Sequence, residues 1–238
     1  MMYRQLDQEK IVTTLQRLRE RIGERFPQSG LGRVSEELLA LSSEVSECAE
    51  NLRKPNWPVR IGSWISIALM ITVLGAIVLE VPMRGRFEGL PDVVQAMEAG
   101  INTMLLFGAA TLFLVTVEVR LKRQRALRLI HQLRSVAHVV DMHQLTKDPE
   151  RLSVSPSEAA AAGMRVTTGL DLARYLDYCS ELLSLTSKLA ALLVQHFDDA
   201  AVLAGVNEIE ALTTGLSGKI WQKISLLNAN VPVRESAT

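Results

Sequence analysis

GINTMLLFGAATLFLVTVEVRLKRQR, residues 100–125, is an oily run that stops abruptly at a burst of cations. No formal charge occurs from position 99 to 117. About 19 residues of helix rise roughly 28 Å, close to the thickness of a bilayer's hydrocarbon core. A second run at 61–79, IGSWISIALMITVLGAIVL, has the same length and is equally uncharged. Core helices of soluble proteins seldom stay apolar around their whole circumference, so two matched runs predict two transmembrane helices.

The flanking cations set the expected orientation. Arg53, Lys54 and Arg60 precede the first run, and Arg120, Lys122, Arg123, Arg125 and Arg128 follow the second. The connection at 80–98 carries only Arg84 and Arg86, and acids outnumber them. Cations are retained on the cytoplasmic side, so the reading is a multi-pass protein of the cytoplasmic (bacterial inner) membrane with both termini inside and a short external loop. Trp57 and Trp64 flank the start of the first run, where indoles favour the headgroup level. Pro91 followed by Asp92 suits a helix start within the connection. Arg120, Lys122, Arg123 and Arg125 are expected to meet anionic lipid.

Composition agrees with a small membrane part and a larger water-facing part. The 238 residues are 48% hydrophobic, with 26 basic and 26 acidic residues. Zero net charge argues against a nucleic-acid binder, which needs a basic excess. Cys48 and Cys179 are far apart and lack CxxC or Cys/His spacing, so neither a disulfide framework nor a zinc site is expected. The charge-rich first sixty residues predict that no cleavable signal precedes the runs.

Asn102 is the anomaly in the second run. Steps of seven give Gln95, Asn102, Ala109, Thr116 and Arg123, a polar-or-small line, while Ala68, Thr72 and Ala76 form a small-residue surface on the first run. These surfaces are expected either to pack, against each other or a neighbouring copy, or to face water in an oligomeric pore.

Outside the runs the chain reads as helix. Ile11, Leu15, Leu18 and Ile22 keep coiled-coil spacing; FPQSGLG breaks the pattern; Ser35 is the expected N-cap of a helix with Leu38, Leu41, Val45, Cys48 and Leu52 inward, ended by Pro55 and Pro58. Residues 1–54 are thus a helical hairpin or strands of an intermolecular coiled coil. After the second run, Ala126, Ile130, Leu133, Ala137 and Val140 carry the helix on to about Leu145. A break with a Ser155-Pro156 helix start and a short alanine helix to Gly163 follows. Leu172, Leu176, Cys179, Leu183, Thr186, Ala190 and Leu193 then hold a strict heptad, widened by Tyr175, Leu182, Leu185, Leu189 and Leu192. Such a helix belongs at the centre of a bundle. HFDD makes a turn with Asp198 or Asp199 as N-cap, and a last helix turns Val202, Val206, Ile209, Leu216, Ile220 and Leu227 inward.

The predicted architecture is all-α: 1–54 an N-terminal cytoplasmic helical hairpin, 55–120 a transmembrane helical hairpin, 121–228 a cytoplasmic helical bundle, and 229–238 a disordered tail. Chemistry is sparse. His138 and Asp141, three apart on one helix, are the weak metal candidate, but metal sites need three or four ligands. Cys179 falls on an inward seam with no cation nearby in sequence, which suits a structural thiol. No catalytic residue and no cofactor is expected. The reading is a non-enzymatic membrane protein that self-associates, scaffolds or relays signals through its heptad-patterned helices. Its partners would be lipid, further copies of itself and a cytoplasmic protein, with no nucleic acid; the rival is an oligomeric pore-forming or membrane-disrupting effector.

Overall fold

A computed structural model describes residues 5–54, 57–83, 90–145 and 169–229. All regular structure among them is helical: α1 (Gln8–Arg25), α2 (Gly30–Arg53), α3 (Trp57–Met83), α4 (Leu90–Leu145), α5 (Gly169–Leu192) and α6 (Ala200–Ala229). The chain divides into two compact units, Lys54–Gln124 on the one hand and Met1–Arg53 with Arg125–Thr238 on the other, so the boundary falls inside α4. The expected Ser155 start, the alanine helix and the end of the tail beyond Ala229 lie outside the described residues.

The discontinuous unit is a helical bundle built around α5. Asp7 starts α1 by accepting from the Lys10 N–H at 3.3 Å. The seam residues Leu15, Leu18 and Ile22 then reach 0% exposure. Helix α1 packs on α2, both pack on α5, and α5 packs on α6. The six heptad residues of α5 and Leu193 just past its end are buried, as are the five that widen its apolar face. The six inward residues of α6 are buried too. Beyond Arg125, α4 buries Ala126, Ile130, Leu133, Ala137 and Val140. It meets α6 where Arg134 pairs with Glu208 at 3.0 Å and where a methyl group on Gly205 would come 3.1 Å from Ile130. Each fully buried leucine contributes about 1.5–3 kcal/mol over an exposed one, which makes this seam the main source of the unit's stability. The helix seams that the sequence offers to partners are therefore consumed inside the chain.

Several local expectations change. Helix α2 begins a turn and a half before Ser35: Ser29 Oγ accepts from the Gly32 N–H at 3.1 Å, and Ser35 is fully buried inside the helix, donating to the Gly32 carbonyl. The turn needs only Phe26–Ser29, with Gln28 at φ 61°, so the glycines of FPQSGLG are helical. Cys48 is half-buried and Ala49 takes the core position, because α2 meets the rest of the bundle slightly off the expected heptad. Helix α2 stops at Arg53, before Pro55; Pro58 lies in the first turn of α3, where a missing N–H costs nothing. Asp199 caps α6, its Oδ1 accepting from the Ala201 and Val202 N–H groups at 3.1 and 3.2 Å.

The other unit contains α3 and the first part of α4. Both helices outrun the uncharged runs: α3 continues to Met83, and α4 begins at Leu90 with Pro91 in its first turn. Much of the stretch expected as an 80–98 loop is consequently helix, and 84–89 lie outside the described residues. Windows at Val59–Ala76 and within Met97–Leu145 are long and apolar enough to cross a membrane, and none of their residues is buried. Leu106, Leu112 and Phe113 are 69%, 70% and 68% exposed.

Candidate functional site

The polar side chains of the two apolar helices are nearly all spent locally. Ser63, Thr72, Thr103 and Thr116 each donate to the backbone carbonyl four residues back on the same helix. Thr111 does so too, and also reaches across to Ser66 Oγ at 3.3 Å. Near that bridge, a methyl group placed on Gly62 would come 3.6 Å from the Leu114 side chain. Further along, Lys122 Nζ donates to the Lys54 carbonyl at 3.0 Å while pairing with Glu118 at 3.0 Å.

These contacts identify the faces in use. On α4 the half-buried positions Gly100, Thr103, Phe107, Thr111, Leu114, Glu118 and Lys122 recur at steps of three or four residues on the side where Thr111 reaches α3. At about 100° per residue, Asn102, Ala109 and Thr116 lie roughly 180° from the centre of that seam. All three are exposed, as are Ala68, Thr72 and Ala76 on α3. The two expected surfaces do not meet within the chain; Ser66 and Thr111, which the sequence reading passed over, occupy the contact instead. The spacing of that seam was visible along the chain, but nothing in one helix's sequence says which of its two faces its neighbour takes.

Asn102 differs from its neighbours. The carboxamide offers two donors and an acceptor and makes no hydrogen bond among the described residues, whereas every hydroxyl of the two runs has a partner.

The cations also separate. Arg120, Arg123 and Arg125 are exposed, but the Lys122 side chain retains only 15% exposure and is committed to Glu118 and Lys54, so it is poorly placed for a lipid headgroup. Arg125 faces Cys48: burial raises that thiol's pKa and the guanidinium opposes the rise.

The remaining chemistry is dispersed. His131 and His138 are exposed on α4. Asp141 accepts from Gln144 Nε2, and among the described residues no three His, Cys, Asp or Glu side chains converge closely enough to hold a metal ion. His138 and Asp141 thus gain no third donor there. Cys179 is fully buried, and burial pushes its thiol up to about 12, with the Lys223 cation acting in the opposite direction. A thiol held protonated is a poor nucleophile. Lys223 lies on a different helix, so sequence proximity could not reveal it. Its ammonium donates to the Gln144 carbonyl at 3.2 Å. Beside Cys179 along α5, Arg21 forms a bidentate pair with Glu181 and lies 5.5 Å over the Tyr178 ring. Phe26 meets Tyr175 and Tyr178 edge-on at 5.4 and 6.2 Å. This cluster locks α1 to α5. No protein-family model matches the chain, and neither a curated protein nor a solved structure does.

Proposed function

We propose that this chain is a non-enzymatic protein of a cytoplasmic membrane, anchored by α3 and α4, that self-associates and presents its helical bundle to partners inside the cell. The observation that carries the reading is the exposure of the apolar helices: Leu105, Leu106, Leu112 and Phe113 are each at least 66% exposed, and water would make such a row a liability. Lipid removes that cost. The cation distribution around the two runs supports a cytoplasmic bundle. Because the bundle's heptad seams are buried within the chain, a partner would dock on its outer faces, where Trp221 is 60% exposed and Met142 66%. A signal could travel along α4, whose 56 residues belong partly to each unit.

Carbonate washing of vesicles tests the anchor, and protease added to sealed cells tests the sidedness. Release of the intact chain, or digestion of its ends from outside, overturns the proposal. The second reading is an oligomeric pore, favoured by the unbonded Asn102 on an exposed face. Ion flux in liposomes, compared with Asn102→Leu and Thr116→Leu, decides it; a folded oligomer without flux removes the pore.

A further inference from the structure

We infer that α4 pairs with α4 of a second copy of this chain along Asn102, Ala109 and Thr116, in register, with the two Asn102 carboxamides bonded to each other. The inference rests on the membrane reading and deepens it by naming the surface of self-association.

The argument starts from what α3 leaves uncovered. Its contact with α4 runs through Ser66 and Thr111, with Gly62 close to Leu114 nearby. The opposite face of α4 carries its own heptad. Asn102, Ala109 and Thr116 stand at every seventh residue, and Leu105, Leu112 and Val119 follow each of them by three. All six are exposed. In a two-stranded coiled coil this is the a/d pattern, and a single Asn at an a position is a known device for setting register and copy number. Small residues at Ala109 and Thr116 permit close approach; the Thr116 hydroxyl is already satisfied by the Leu112 carbonyl, so it adds no unmet polar group.

The occupant follows from chemistry. Asn102 stands three residues inside the outer end of the uncharged run, where an unbonded carboxamide costs less than at the midplane but lipid tails still offer it no partner. A carboxamide is complementary to itself, because each can donate an N–H to the other's carbonyl oxygen. Copies inserted with the same orientation place Asn102 opposite Asn102 on a two-fold axis, which no mismatched partner guarantees. Apolar side chains alone supply little drive for helix association in lipid, so the amide pair decides whether the dimer forms.

The test uses the full chain in native membrane vesicles, with the half-buried Cys48 replaced by alanine. Ala109→Cys lies on the proposed seam and Ala110→Cys about 100° away. Under copper-phenanthroline oxidation, Ala109→Cys is expected to give covalent dimers at least about fivefold faster than Ala110→Cys, as the a-position geometry requires. In the Ala109→Cys background, Asn102→Leu is expected to lower the dimer yield about threefold to tenfold, whereas Asn102→Gln retains it. Equal yields at 109 and 110, or an unchanged yield with Asn102→Leu, would overturn the inference while the chain stays in the carbonate pellet, leaving the membrane reading intact. Release by carbonate would remove both.

Discussion

Leu183 on α5 and Leu112 on α4 are the same side chain in the same kind of helix, yet the first is 0% exposed and the second 70%. Around Leu183 the apolar face is wrapped by three other helices, and charged residues are kept to the rim, where Arg21 pairs with Glu181 and Arg25 with Asp171. Around Leu112 the helix is apolar on every side, and contact with α3 covers only one of them. The bundle chooses its fold by separating apolar from polar around each helix. The apolar pair has no such separation to exploit, so packing there depends on where small and polar side chains happen to lie.

The sharpest way to break this comparison is to truncate both leucines. Leu183→Ala should cost about 3 kcal/mol of bundle stability, read by chemical denaturation, since it leaves a cavity in a closed core. Leu112→Ala should leave that transition where it was; equal shifts would mean that the two regions are not distinct environments. A charge makes the converse test. Leu112→Arg should oppose insertion by about 2.5–3.5 kcal/mol, measured as a smaller fraction retained after carbonate washing. A fraction equal to that of the parent would show that Leu112 does not face lipid.

Alkaline pH sharpens the contrast between the two thiols. Burial raises the Cys179 pKa from an ordinary 9.0 to about 12, and raises that of Tyr175 as well. The unfolded chain therefore loses these protons first. Their contribution is fully present below the ordinary thiol range and declines as pH climbs toward about 12. Cys179→Ala should flatten part of that decline in denaturation curves. At neutral pH a thiol reagent should label the half-buried Cys48 well before Cys179; simultaneous labelling would contradict the burial assigned to α5.

Smaller effects probe the edges of the bundle. Asp199→Ala removes the cap of α6 and should cost about 1 kcal/mol in the same denaturation assay. Arg21→Ala breaks a half-exposed ion pair and a ring contact, and should cost about 0.5 kcal/mol, shrinking as salt is added. A loss as large as that of Leu183→Ala would mean that this rim is part of the core.

Much of the bundle was legible along the chain. The seams of α1, α5 and α6 lie where the 3.6-residue period puts them, because burial of a continuous apolar stripe outweighs any local preference. The Ser35 cap failed for a related reason: Leu31 and Val34 are buried, so the apolar face begins before the best capping residue and carries the helix start back to Ser29. The site was less legible. The unusual character of Asn102 could be read from hydropathy, but its outward direction could not.

By itself, then, the sequence determined the helices, the two uncharged runs and the inward faces of the bundle, since each depends on residues a few positions apart. Tertiary structure alone decided that Ser66 and Thr111 meet, that Lys122 is held by Glu118 and Lys54, and that Lys223 stands near Cys179. Those pairings join residues distant along the chain. One helix's periodicity carries no information about the rotation and register at which another will approach it.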